Sequence, residues 1–180
     1  MRNSIKLLLA TTLLAVSLTG VVSSAQAKQA KDRKAYFLLG DPRPGSKFKQ
    51  KLFRSDVPFD KSYSELTPTL KERVKTPYGG LKDSEHPPFP VEGTEVIYRP
   101  LYKANLELKK EGDVLAIAMI SPTGKVENVT VYKAPTPNIA TMLSYIITNT
   151  EFDPATCDGK PCQMEYLFEN KIETKPNWAR

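Results

Sequence analysis

The chain has 180 residues, with 26 Lys and Arg against 20 Asp and Glu, one His, two Cys and 15 Pro, giving a formal charge of +6. That length holds one ordinary domain with extensions, and not two full-sized ones. One His and two Cys cannot supply the three or four nitrogen and sulfur ligands of a zinc finger or a Cys/His-rich metal site, and they leave little for Cys-His nucleophilic catalysis.

Residues 1–27 read as a secretion signal. Arg2 and Lys6 give a positive start, Leu7 to Val22 is an uncharged, mostly apolar run, and Ala25-Gln26-Ala27 is the small-x-small pattern of a cleavage site. The run is short for a membrane span and is diluted by Thr11, Thr12, Ser17, Thr19 and Gly20. The expected outcome is cleavage after Ala27 and a periplasmic or secreted protein; the alternative is an uncleaved inner-membrane anchor. Without the signal, residues 28–84 carry a net +7 and residues 85–180 a net −3. The basic character therefore belongs to an N-terminal arm, and export removes nucleic acid from the expected partners.

Residues 28–98 form that Pro-rich basic arm, predicted to be partly irregular. Nine prolines between Asp41 and Pro100 fix their own φ and push the preceding residues toward extended geometry, which rules out a continuous helix. A short helix is predicted at Thr67 to Lys75, with Thr67 as cap and Pro68 in the first turn. Phe48, Leu52, Phe53, Val57, Phe59 and Tyr63 are too many for a pure linker, so part of the arm should pack on the domain that follows, the alternative being a solvated polyproline-like spacer. Lys47, Lys49, Lys51 and Arg54, beside Phe48 and Phe53, are either a solvated face or a contact to anionic lipid, lipopolysaccharide or peptidoglycan.

Residues 99–172 show regular periodicity. Leu101, Ala104, Asn105 and Leu108 predict a helix that starts at Pro100 and stops before Gly112. Asp113 to Ile120 alternates with both faces apolar, which predicts a central strand covered on both sides. Ser121-Pro122-Thr123-Gly124 is a hairpin turn, Lys125 to Lys133 the return strand, and Val129 and Val131 share one of its faces. Thr136-Pro137 opens a second helix with Ile139, Met142, Leu143, Ile146 and Ile147 on its buried stripe. A last strand runs from Gln163 to Lys171, with Met164, Tyr166 and Phe168 on one face, before a tail at 173–180. The order helix, strand, strand, helix, strand predicts an α+β domain with a three-stranded antiparallel sheet packed by helix.

Gly112-Asp113-Val114, Gly124-Lys125-Val126, Val129-Thr130-Val131, the amphipathic helix, Phe152-Asp153-Pro154-Ala155 and Asp158-Gly159-Lys160-Pro161 occur in the order and spacing of one family. Over about residues 100–170 the chain resembles the C-terminal domain of TonB, the energy transducer of outer-membrane transport. That resemblance implies capture of a short receptor segment by strand addition at the last strand, for which Gln163, Met164, Glu165, Tyr166 and Leu167 are the candidate partner-binding residues. Physically, such an edge either accepts a further strand or is merely protected. TonB itself keeps an uncleaved membrane helix, so a cleaved chain favours a stand-alone envelope module over direct energy transduction.

Cys157 and Cys162 bracket the Asp158-Gly159-Lys160-Pro161 turn, and in an oxidising compartment they are expected to form a disulfide rather than a redox pair. His86, in a proline-rich loop, reads as a solvated residue. No nucleophile elbow, zinc-protease motif or glycine-rich phosphate loop occurs. The expectation is a protein without enzymatic activity, cofactor or metal. Trp178 is either an anchor for the tail or a partner contact.

Overall fold

The computed structural model describes residues 34–173 except 42–43, 46, 48 and 50. Residues 1–27, read above as a secretion signal, Phe48 and the tail with Trp178 lie outside the described residues. Strands β1 (Tyr36–Leu39) and β2 (Lys51–Ser55) are followed by helix α1 (Pro68–Lys75), strand β3 (Phe89–Pro90) and helix α2 (Glu95–Leu108). Strands β4 (Gly112–Ile120) and β5 (Val126–Lys133), helix α3 (Pro137–Thr148) and strands β6 (Phe152–Asp153), β7 (Ala155–Cys157), β8 (Lys160–Cys162) and β9 (Met164–Ile172) complete the order.

The expected three-stranded antiparallel sheet is present, with β4 between β5 and β9. Val114, Ala116, Ala118 and Ile120 of β4 are fully buried, as their alternation requires, and Tyr166, Phe168 and Ile172 of β9 share their core. Ile97 and Leu101 of α2 and Ile139, Leu143 and Ile147 of α3 close that core from the helical side. Met142, placed on the α3 stripe by its spacing, is instead exposed.

The strand β4 is central but not covered on both faces. Leu115, Ile117 and Met119 are only half-buried, because both helices pack toward the opposite face. The residues beside them in register are Lys133, Thr130 and Asn128 on β5 and Glu169, Leu167 and Glu165 on β9, mostly polar chains that shield them in part.

Helix α2 departs from expectation at both ends. It starts at Glu95, five residues before Pro100, with Thr94 in the capping position. Glu95 and Arg99 pair one turn apart, Arg99 Nε donating to Glu95 Oε1 at 2.6 Å, and Pro100 sits on the exposed side of the second turn. Its missing N–H removes only the hydrogen bond to Val96. The helix ends at Lys109, whose left-handed φ of 49° is held by Asn105: its amide accepts from Lys110 N–H at 3.0 Å and donates to Lys110 C=O at 2.9 Å. Helix α3 starts where its sequence places it, the Thr136 hydroxyl accepting from Ile139 N–H at 3.4 Å with Pro137 in the first turn. Helix α1 has Thr67 at its cap position, but there the Thr67 backbone carbonyl alone takes the Leu70 and Lys71 N–H groups at 2.9 Å.

Residues 34–98 contribute to the same core. Leu38, Leu52, Phe53 and Phe59 are buried with the sheet residues, and the Phe53 ring meets Tyr98 edge-on at 5.0 Å. Tyr63, Leu66, Leu70 and Phe89 form a second small cluster under α1, with Val57 against it. Strand β3 pairs with β6 through Phe89 and Asp153, and Pro90 and Phe152, joining the arm to the segment after α3.

Candidate functional site

β9 is an outer strand of the sheet. Tyr166 and Phe168 turn their side chains into the core, and the backbone direction alternates with them. Leu167 N–H points away from β4, since it donates to the phenol oxygen of Tyr78 at 3.1 Å. By the two-residue period, the N–H groups of Glu165, Glu169 and Lys171 share that direction. Lys171 N–H is taken by the Asn170 side chain at 2.7 Å. An outward row of donors and acceptors thus runs along β9, closed at Leu167 by a side chain and at Lys171 by its neighbour.

Of the candidate partner-binding residues, Tyr166 is buried, Met164 and Leu167 are half-buried, and Gln163 and Glu165 are exposed. The Gln163 amide bonds Glu127 of β5 from a position just before β9. The structure brings the strand together as one edge, and it extends that edge to Glu169 and Asn170.

A groove of about 470 Å³ opens along this edge. Tyr98 and Phe168 contribute from the core side, Val57 and Phe89 from the arm, and Val74 and Pro77 from the end of α1 and the chain beyond it. Arg54 and Arg73 line it together with Asp56 and Glu169, so its charges balance. Thr94 also lines it, and the Thr94 hydroxyl is buried with no hydrogen-bond partner among the described residues. Burial raises the phenol of Tyr78, an effect that the Leu167 N–H opposes and the Glu165 charge reinforces. Burial pushes Tyr98 up to about 12 against the Asn170 amide, which donates to its oxygen at 3.1 Å, and raises Tyr166 well above the ordinary value.

Residues 76–86 run past this edge and are fastened at both ends. The Lys75 ammonium, itself buried, donates to the carbonyls of Lys82 and Asp83 at 3.3 and 2.8 Å. The Glu85 carboxylate accepts from Lys82 N–H at 2.9 Å and Asp158 N–H at 3.3 Å, and the hydrogen bond from Lys82 is the first cause of its lowered pKa. Lys82 also pairs with Asp158, whose hydrogen bond raises the Lys82 pKa. His86 is half-buried rather than solvated. It exchanges backbone hydrogen bonds with Thr156 at 3.4 and 3.0 Å, stacks on Tyr63 at 4.7 Å, and places Nε2 2.8 Å from the Thr156 hydroxyl. Nδ1 lies 3.2 Å from the Pro87 carbonyl, which only accepts, so in the neutral ring Nε2 receives the Thr156 proton.

Thr156 and Asp158 belong to the β7–β8 hairpin. Cys157 and Cys162 form the expected disulfide across it, with Cα atoms 5.8 Å apart. Asp158 and Gly159 both take positive φ, as a two-residue type I′ hairpin requires.

The sequence marks the strand but not Tyr78, Thr94 or the residues of α1 that complete the groove. Their placement depends on contacts between segments up to 89 positions apart, and no local period marks them. Lys47, Lys49, Lys51 and Arg54 are all exposed, Lys51 lying over the Phe37 ring at 4.2 Å. Among the described residues no group of three or more His, Cys, Asp or Glu could hold a metal ion, and no helix is long and apolar enough to cross a membrane. No family model matches this chain, and no curated protein is significantly similar to it.

Proposed function

We propose that this protein is a binding module of the cell envelope that captures an extended protein segment by strand addition at β9, without catalysing a reaction. The observation that carries the reading is the outer position of β9 beside a groove into which its Leu167–Asn170 stretch opens. An incoming strand would exchange backbone hydrogen bonds with Leu167 and Glu169, and its alternate side chains would enter the apolar wall formed by Val57, Val74 and Phe89. The resemblance of residues 100–170 to the TonB C-terminal domain supports the same mode, with an outer-membrane receptor as partner. The N-terminal segment, read as a secretion signal, supports the location.

The direct test is a peptide selected by display against the full chain. Amide shifts on its addition should concentrate at Glu165–Lys171, and Glu169→Pro should abolish binding while the fold persists, because a proline there removes an outward N–H and no bond to β4. Shifts confined to another surface, or undiminished affinity for Glu169→Pro, would refute strand addition.

A second reading rests on Lys47, Lys49, Lys51 and Arg54, four exposed cations within eight residues. It makes the protein a structural envelope module that meets anionic surfaces through them. Adsorption to vesicles containing anionic lipid should then fall with added salt and vanish when the four are replaced by Ser. Adsorption that survives both changes removes this reading.

A further inference from the structure

The fastenings of residues 76–86 are unevenly distributed. At the ends the segment is held by several bonds: Lys75 to the carbonyls of Lys82 and Asp83, Glu85 to the amide of Asp158, and His86 to Thr156 through both backbone and side chain. In the middle, one side-chain hydrogen bond joins it to the sheet, from Leu167 N–H to the Tyr78 phenol. Immediately after Tyr78 come Gly79 and Gly80, and among the described residues no atom beyond the adjacent ones lies within 4 Å of the place where a side chain on either would stand. This is a tethered strap with a small, unencumbered tip.

We infer that the strap gates the β9 edge: Tyr78 occupies the donor that an incoming strand must use, and a partner docks by supplying its own carbonyl to Leu167 while the phenol swings out about Gly79 and Gly80. The inference rests on the strand-addition reading and specifies what opposes it. The exchange replaces one acceptor on Leu167 N–H by another, so opening leaves no buried donor unsatisfied. The Tyr78 oxygen regains water as it leaves the half-buried position in which desolvation now raises its pKa. The ends remain attached throughout, which keeps the strap beside the groove and makes closure an intramolecular event that competes with every weak or misregistered strand. The neutral hydrogen bond contributes a modest part of the threshold, on the order of a few-fold to tenfold in affinity, and burial of the Tyr78 ring in the groove contributes the rest.

The test is Tyr78→Phe in the full chain, which removes the acceptor and keeps the ring. Amide exchange at Leu167 is expected to quicken about tenfold, with Phe168 as an internal control because its N–H faces β4. The display-selected peptide is expected to bind the variant about fivefold more tightly than the wild type. Unchanged exchange at Leu167 overturns the strap, whatever the peptide does. Faster exchange with equal peptide affinity shows that Tyr78 covers the amide without gating the edge, and overturns the inference while strand addition stands. Faster exchange with peptide-induced shifts confined to another surface refutes strand addition and takes the gate with it. A thermal unfolding curve for the variant confirms that it compares folded with folded.

Discussion

Gly124 and Phe152 meet backbone to backbone. The Phe152 N–H donates to the Gly124 carbonyl at 3.4 Å, and a Cβ added to Gly124 would run into the Phe152 carbonyl oxygen. Gly124 also has a φ of 79° and closes the β4–β5 turn by donating to Ser121 C=O at 3.0 Å. Two costs coincide there: the left-handed backbone that disfavours a side chain, and a rigid neighbour that cannot move aside. Gly124→Ala should lose about 3 kcal/mol of stability. Gly159→Ala provides the contrast, since Gly159 shares the positive φ but a Cβ there would meet no atom of the described residues within 4 Å beyond its chain neighbours, and it should lose only about 1 kcal/mol. Denaturant melts of the two variants check the difference; equal losses would mean that the Phe152 contact contributes nothing.

That contact shows how far local patterns reach. The turn at Ser121–Gly124, the Thr136-Pro137 helix start and the Asp158-Gly159 hairpin are legible because each is written in two to four adjacent residues with a steric or hydrogen-bonding reason. The alternation of β4 is equally plain, yet it cannot say which apolar face the helices choose. Pro100 misleads for a physical reason. Its preference for the first turn is strong in sequence, whereas Thr94, Glu95 and Arg99, which actually start the helix, read as ordinary polar residues. The edge of β9 is readable as a strand, and the strap over it is not, because one phenol 89 residues away leaves no periodic trace.

The end of α2 gives a paired prediction. Asn105 is buried, and both its amide atoms bond Lys110, holding Lys109 at its left-handed φ of 49°. Asn105→Ala removes both hydrogen bonds to Lys110 and leaves a gap where the buried side chain stood, and should cost about 2 kcal/mol. Lys109→Gly relieves a conformation that glycine adopts freely and should stabilise the protein by about 0.5 kcal/mol after the greater entropy of the unfolded glycine is counted. Urea midpoints at constant slope measure both, and a destabilised Lys109→Gly would contradict a cap held by Asn105 against the strain at Lys109.

The disulfide closes a short hairpin that also anchors the strap. Reduction by a dithiol should lower stability by only about 2 kcal/mol, as expected for so small a loop. At this chain length that is a shift of roughly 4–8 °C in the unfolding temperature. The local effect should be larger than the global one. Exchange at the His86 and Thr156 amides, each of which donates to the other residue's carbonyl, should quicken before the rest of the sheet changes. Protection at these two amides that persists after reduction would show that the strap does not depend on the staple.

Alkaline pH tests the packed tyrosines. Tyr98 is raised to about 12 and Tyr166 well above its ordinary value, in both cases chiefly because burial penalises the phenolate. A phenol whose folded pKa exceeds its unfolded value keeps its proton in the native state after the unfolded chain has lost it. The contribution is therefore intact below about pH 10 and is lost as the pH climbs through 10 toward 12, by about 1.4 kcal/mol for each pH unit that separates the unfolded pKa from the folded one. The phenolate absorbance of these two residues should appear together with the loss of far-ultraviolet circular dichroism. Tyr98→Phe should flatten the decline over that window, since its ring stays packed against Phe53, Phe59 and Phe168 while its proton no longer enters the balance. Complete ionisation of all eight tyrosines near pH 10 with the fold intact would mean that the core encloses neither phenol.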